Sequence, residues 1–266
     1  MKKLQMHIPC SPENIADIVL LPGDPARAKL IGEKYLEKGK LVAIYREFVT
    51  YTGFYKTIRI TVTSTGIGSA STAIAVEELI NIGAKVLIRV GTCGGALKKA
   101  IKAGSIIIPT ASIREEGTTK EYLPPEFPAV ADFQVVDALI KSSEKFNYRY
   151  FVGINRTHDA FYGQSQNLKR WGSIYLNPRM KNWDYPLISS EMECAPLFLI
   201  GTLRGVKTGA VLAVNANPEP LKEIMEEKFR FDVPASKIQT KEAKASVDRA
   251  IRKKEAVCDP PAGGRL

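Results

Sequence analysis

Lys85-Val86-Leu87-Ile88-Arg89-Val90-Gly91-Thr92-Cys93-Gly94-Gly95 carries the pattern that decides the fold. A short aliphatic run that stops at glycine reads as a buried strand, here over 85–90, ending at Gly91. Arg89 falls in the last turn of that strand, where a buried charge is costly unless it meets an opposite one. Two partners fit it. Gly91, Gly94 and Gly95 permit a backbone nest for phosphate, with the Thr92 hydroxyl beside it. A buried carboxylate would serve as well.

Outward from this stretch, apolar runs alternate with helical spacing. Upstream, 16–21 and 58–64 read as strands, the first stopped by Pro22-Gly23, and 69–82 reads as a helix with Gly83 as a plausible cap. Downstream, 105–108 is a strand, followed by a loop rich in Pro and Glu through Pro128. Asp132 caps a helix running to about Phe146, and 148–154 returns as a strand. A helix over 192–203, a strand over 208–214 and a long charged helix over 235–257 follow, and 258–266 is a frayed tail. This alternation predicts a mixed α/β sheet. No repeat or linker divides the chain, so one domain is expected over 1–266.

Hydrophobic residues make up 45% and charged residues 25%, ordinary values for a soluble globular protein. No apolar run is long enough for a membrane helix, and MKKLQMHIPC lacks the apolar core of a signal peptide, so a cytoplasmic location is expected. Cys10, Cys93, Cys194 and Cys258 form no CxxC pair, and His7 and His158 share no ligand-spaced cluster, which argues against disulfides and a catalytic metal. The net charge of +10 fits an acidic partner or a solvated lysine-rich surface. Without basic residues interleaved with aromatics, no nucleic-acid groove is expected.

Three further segments offer chemistry. Gly23-Asp24-Pro25-Ala26-Arg27 follows a strand. Its glycine lets backbone N–H groups approach an anion and Arg27 adds charged donors; equally, it is a tight turn with Asp24 capping a helix. Ser190-Glu191-Met192-Glu193-Cys194 lies at a strand-to-helix junction. One carboxylate can accept from a sugar's hydroxyls while the methionine packs on the ring, or both simply favour a helix N-terminus. Asp159 to Gln166 (DAFYGQSQ) offers an aromatic for stacking and amides for a base edge, or is an ordinary aromatic loop. Gly66-Ile67-Gly68-Ser69-Ala70-Ser71 lacks the third glycine and the downstream acid of a dinucleotide site, so no NAD is expected.

Taken in order, GDPAR at 23–27, YREF at 45–48, STGIGSASTAIAVEEL at 64–79, IRVGTCGG at 88–95, PPEFPAVADF at 124–133, DAFYGQ at 159–164 and SEMECA at 190–195 resemble the nucleoside phosphorylase family, which includes uridine phosphorylase and the hexameric bacterial-type purine enzymes. The resemblance runs from His7 to about Val214, and IAVEEL and PPEFPAVADF look closer to the uridine branch. It implies a three-layer α/β/α domain around a mixed, partly barrel-like sheet. The implied reaction is phosphate-dependent cleavage of a ribonucleoside, uridine foremost, to free base and ribose 1-phosphate, with phosphate as co-substrate and no other cofactor.

By the same resemblance Gly23, Arg27, Arg89 and Thr92 bind phosphate, joined by Arg46 from a neighbouring subunit. His7, also the neighbour's, with Glu191, Met192 and Glu193 holds the ribose, and Phe161 packs on base or sugar. Glu47, Ile67 and Ser71 match an interface site for a monovalent cation. A homo-oligomer with shared sites, a hexamer built from three dimers, is implied. The base site departs from the pattern. Where the uridine branch has a glutamine and then an arginine, this chain has Gln164 and Gln166, and after 208–214 come Asn215 and Asn217, with neither the uridine branch's arginine nor the purine branch's aspartate. These amides suit uracil or a 6-oxopurine. A purine or 5′-methylthioadenosine phosphorylase, a nucleosidase and a non-catalytic nucleoside- or nucleic-acid-binding protein are the rival readings.

Overall fold

The computed structural model describes residues 4–94, 100–162 and 187–215. In chain order the elements are β1 (Ile18–Leu21), α1 (Pro25–Lys34), β2 (Glu37–Tyr45), β3 (Phe48–Tyr55), β4 (Ile58–Thr63), α2 (Ser69–Asn81), β5 (Val86–Cys93), β6 (Ile106–Glu115), α3 (Thr118–Tyr122), β7 (Ala129–Val130), α4 (Phe133–Lys145), β8 (Tyr150–His158), β9 (Leu187–Glu191), α5 (Cys194–Arg204) and β10 (Lys207–Val214). The helix expected over 235–257 and the tail after it lie outside the described residues.

The strands form one mixed 10-stranded sheet in the order β2-β3-β4-β1-β5-β10-β6-β8-β9, with β7 on β6. Strand alternation sends side chains to two helical layers. Val19, Leu21, Leu87, Ala210 and Leu212 share a core with Ala75, Val76 and Leu79 of α2 and Leu197 to Ile200 of α5. Leu20, Ile88, Val90, Ile106 and Ile108 face Ala28 and Ile31 of α1 and Val135, Val136 and Leu139 of α4. The result is the three-layer α/β/α arrangement. α5 lies so close on β10 that a methyl at Gly201 would come within 2.3 Å of Thr208. Among the described residues no helix is long and apolar enough to cross a membrane.

Half of the sheet closes on itself. Beyond β5, Gly94 donates to the Ser190 carbonyl at 3.0 Å and accepts from the Ser190 N–H at 2.8 Å, an isolated antiparallel bridge to β9. Strands β5, β10, β6, β8 and β9 thereby form a ring, the barrel-like part of the sheet, while β2, β3, β4 and β1 extend from it as an open wing.

The core strands and helices stand close to their expected places, and Asp132 caps α4 by accepting from the Val135 N–H at 3.1 Å. Three strands run further than their apolar pattern suggests, β5 passing through Gly91 to Cys93. β6 continues to Glu115 and β8 to His158, in parallel register from Ile106↔Tyr150 to Glu115↔His158. Their distal halves are polar yet buried, because Ser112, Asn155 and Thr157 bond to one another across the ladder. The stretch expected to be a loop through Pro128 also holds α3, and β7 follows directly after it. α1 starts from the Asp24 cap, as one reading of that segment expects, whereas β2 and β3 have no expected counterpart; the edge strand β2 is largely exposed and lacks a core-facing alternation.

Candidate active site

The site sits where the C-terminal ends of β1, β5, β8, β9 and β10 converge. Arg89 projects from β5 and is 5% exposed. Its guanidinium folds back over Gly91, where a methyl would stand 2.7 Å from the guanidinium carbon, so a side chain at 91 would displace it. The glycine thus leaves the room that the arginine occupies; Gly95, read with it as part of a phosphate nest, lies outside the described residues. Arg89 Nη2 pairs with Glu193, and Nε lies 3.0 Å from Glu191 Oε2, an ion pair without hydrogen-bond alignment. Nη1 has no partner among the described residues and faces Gly23, where an added methyl would approach it to 4.0 Å. Both partners expected for Arg89 are therefore compatible: two nitrogens meet carboxylates and one remains for an anion. Burial disfavours its charge, but Glu193 and Glu191 outweigh burial and push its pKa up.

The Gly23 turn is fixed by Thr65 N–H on the Pro22 carbonyl at 2.9 Å and Gly66 N–H on the Gly23 carbonyl at 3.0 Å. Asp24 caps α1 through the Ala26 N–H at 2.8 Å, so the capping reading of this segment also holds. On the first turn of α1, Arg27 reaches the Val90 carbonyl at 3.4 Å. Burial lowers its pKa; Asp24 offsets this and the nearby Arg89 charge adds to it. Two guanidinium groups facing a glycine turn at a helix N-terminus repel each other until an anion lies between them. Thr92 is half-buried on the same strand as Arg89.

The two carboxylates are not equivalent. Glu191 accepts from Asn155 Nδ2 and Thr157 Oγ1, each at 2.7 Å, and from the N–H groups of Glu193 at 2.8 Å and Cys194 at 3.0 Å. Burial opposes its charge, but Arg89 and these donors prevail and hold it below the ordinary carboxylate range. Glu193 accepts the Gly68 N–H at 2.7 Å besides Arg89. Burial and the Glu191 charge raise its pKa, with Arg89 offsetting only part. Ser69 Oγ donates to the Met192 carbonyl at 2.8 Å, and Ser71 Oγ to Glu47 Oε1 at 2.9 Å. The segment 64–71, dismissed as a dinucleotide loop, thus ties the Gly23 turn, the carboxylates and the β2–β3 turn together; Gly68, at φ 92, supplies the conformation that aims its N–H at Glu193. Ile67 is exposed beside it.

Arg46 and His7 stand apart from this centre. Arg46 is exposed at the two-residue β2–β3 turn with φ 52, a left-handed conformation that a side chain resists. His7 Nδ1 lies 2.8 Å from Glu78 Oε1, and its ring packs near Tyr45 and Phe48. Within one protomer, then, both form a separate outward group.

Phe161 follows β8 and is 45% exposed, edge-on to Tyr162 at 5.1 Å between ring centroids. Asn215 follows β10; its N–H donates to the Cys93 carbonyl at 3.0 Å and its amide oxygen hangs over Gly94. Gln164, Gln166 and Asn217 lie outside the described residues. Burial pushes up the thiols of Cys93 and Cys194, which makes them poor nucleophiles.

Sequence reasoning missed Arg156 and His158 on β8. Arg156 is fully buried, with Nε on Glu115 and Nη1 on Ser190 Oγ at 3.1 Å. The signal was present, since an arginine inside a strand is what singled out Arg89. His158 is also buried, and burial together with the Arg156 charge holds its pKa at about 4 against an ordinary 6.5. The unfolded chain binds this proton near pH 6.5 and the folded chain only near 4, so stability is full above 6.5 and drains as pH falls between these values. Denaturant titrations should show a loss of up to about 3 kcal/mol over that window. His158→Gln should flatten the slope, and an unchanged slope would assign the acid sensitivity to other groups.

The Phosphorylase superfamily model matches residues 17–252. A uridine phosphorylase of Treponema pallidum is 45% identical over 214 residues, 80% of this chain and 82% of that protein. The crystal structure of uridine phosphorylase from Vibrio fischeri superposes with a TM-score of 0.76 at 28% identity, covering 94% of this chain and 97% of the other. Purine nucleoside phosphorylase from Toxoplasma gondii, in complex with immucillin-H, gives 0.79 at 29% identity, with 97% and 96% covered. With its ring-and-wing sheet, its Arg89 centre and a match across most of its length, the chain belongs to the phosphorylase superfamily.

Proposed function

We propose that this protein is a nucleoside phosphorylase that cleaves uridine, with inorganic phosphate as the second substrate, to uracil and ribose 1-phosphate. The observation that carries this reading is the unpartnered, buried Nη1 of Arg89 facing Gly23 with Arg27 alongside. Water alone would not require two cations there, which disfavours a nucleosidase. The identity to the uridine phosphorylase of Treponema pallidum supports the choice of base.

Phosphate sits between Arg27, Arg89 and the Gly23 turn, with the Thr92 hydroxyl as a further donor. It attacks the anomeric carbon as the glycosidic bond stretches, and its charge stabilises the oxocarbenium-like ribosyl centre. Glu193 accepts from the ribose hydroxyls and Met192 packs on the sugar. Glu191, whose oxygens are already engaged, orients Arg89 and the Glu193 backbone. Phe161 covers the base, and Gln164, Gln166, Asn215 and Asn217 read its edge. Arg46 and His7, exposed or half-exposed and apart from the Arg89 centre, complete the site of a second copy, so the active form is a homo-oligomer, a hexamer built from three dimers, working in the cytoplasm. Glu47, Ser71 and Ile67 would hold a monovalent cation at that interface.

Base release from uridine, thymidine, inosine, adenosine and 5′-methylthioadenosine, each with and without phosphate, tests this reading. Phosphate-dependent turnover of uridine is expected. Turnover of a purine nucleoside alone moves the protein to the purine branch, and release without phosphate makes it a nucleosidase.

A further inference from the structure

Arg156 is the largest fully buried side chain among the described residues, and a guanidinium cannot shed its charge by losing a proton. Its Nε is spent on Glu115 and its Nη1 on Ser190 Oγ, while Nη2 is buried and has no partner among the described residues. Among the described residues its ion pair is with Glu115. Along β8, Asn155 and Thr157 face the side on which they hold Glu191, and Arg156 faces the other. His158, neutral over the physiological range, offers no negative charge.

Its place in the fold is specific. Ser190, which it holds, is the residue bonded through its backbone to Gly94, and the Asn215 amide hangs over that glycine. Phe161 lies just beyond the end of β8. Through Ser190 the guanidinium is one hydrogen-bonded step from Gly94, over which the base-site candidate Asn215 hangs.

We propose that Arg156 is a base-reading residue, whose free Nη2 donates to a ring carbonyl oxygen of the nucleobase; this rests on reading the site as a nucleoside site. When the glycosidic bond breaks, the base keeps the bonding pair and its negative charge spreads onto the carbonyl oxygens. Arg156 stabilises that charge while keeping its own proton, and the base is protonated from solvent after departure.

Calorimetric affinities for uracil, 2-pyrimidinone, 4-pyrimidinone and inorganic phosphate test this in the wild type, Arg156→Lys, Glu115→Gln and the double variant Arg156→Met/Glu115→Gln, which strands no buried carboxylate. The wild type should prefer uracil over at least one single-oxo ring. The double variant should bind uracil about ten- to a hundred-fold more weakly and lose that preference, with phosphate affinity unchanged. Arg156→Lys should keep part of the affinity, and Glu115→Gln most of it. Wild-type affinity and preference in the double variant would overturn the proposal. So would parallel losses of uracil and phosphate with the preference retained, the mark of a structural role. A wild type that binds phosphate and none of the three rings overturns it too. Uracil binding without phosphate-dependent turnover would sink the phosphorolysis reading alone.

Discussion

Arg89→Met lowers kcat/KM for phosphorolysis by about 10³-fold or more, as expected when a preorganised charged donor is removed from a water-excluded site. The loss has two sources. Nη1 no longer meets phosphate, so the phosphate KM rises. Glu193 loses the partner that fixes one of its oxygens, so kcat falls as well. The substitution also strands Glu191 and Glu193 as buried carboxylates without a cation, which costs about 3–5 kcal/mol of stability. Arg89→Met/Glu191→Gln separates the two effects: melting should recover in part while turnover stays low. Near-normal turnover of either variant at saturating phosphate would remove Arg89 from the reaction.

Glu193→Ala and Arg46→Ala should each reduce activity by two orders of magnitude or so, since under the proposed function each takes away a charged contact to substrate. Mixed together they should partly rescue one another. In a mixed dimer one site receives both wild-type groups and the other neither, so random mixing restores about a quarter of wild-type turnover. Subunit exchange verified by mass and followed by activity decides it. No recovery in verified mixed oligomers would place Arg46 outside any site.

The legible parts of this chain were those in which a side chain faces a uniform environment. Val19 to Leu21 and Val86 to Ile88 are aliphatic because both helical layers cover them, and a run of that kind announces a strand. Glu115, Asn155, Arg156 and His158 are equally buried or nearly so, yet polar, because they face one another and the site. Binary patterning is blind to such strand ends, and β6 and β8 were read short for that reason. Failure of the pattern is itself informative, since polar residues inside a strand mark where packing yields to chemistry. Arg89 was found by that argument and Arg156 could have been. The role of Gly91 was not legible, because its constraint comes from the Arg89 guanidinium folding back on it. Nor was the division of labour between Glu191 and Glu193, which depends on donors brought in from β8 and from the 66–68 turn.

The Gly94–Ser190 bridge has a consequence for how the protein comes into being. It closes a ring between Gly94, just beyond β5, and Ser190 of β9, far apart in the chain, and contacts of such sequence separation form slowly because the loop-closure entropy comes first. Until β9 has docked, Arg89 has neither carboxylate beside it and the anion pocket does not exist. During synthesis the wing and the first helices can assemble as they emerge, but affinity for phosphate arrives all at once with the last strands. Under the proposed function bound phosphate therefore stabilises only the finished chain, so the substrate itself selects against partly folded forms.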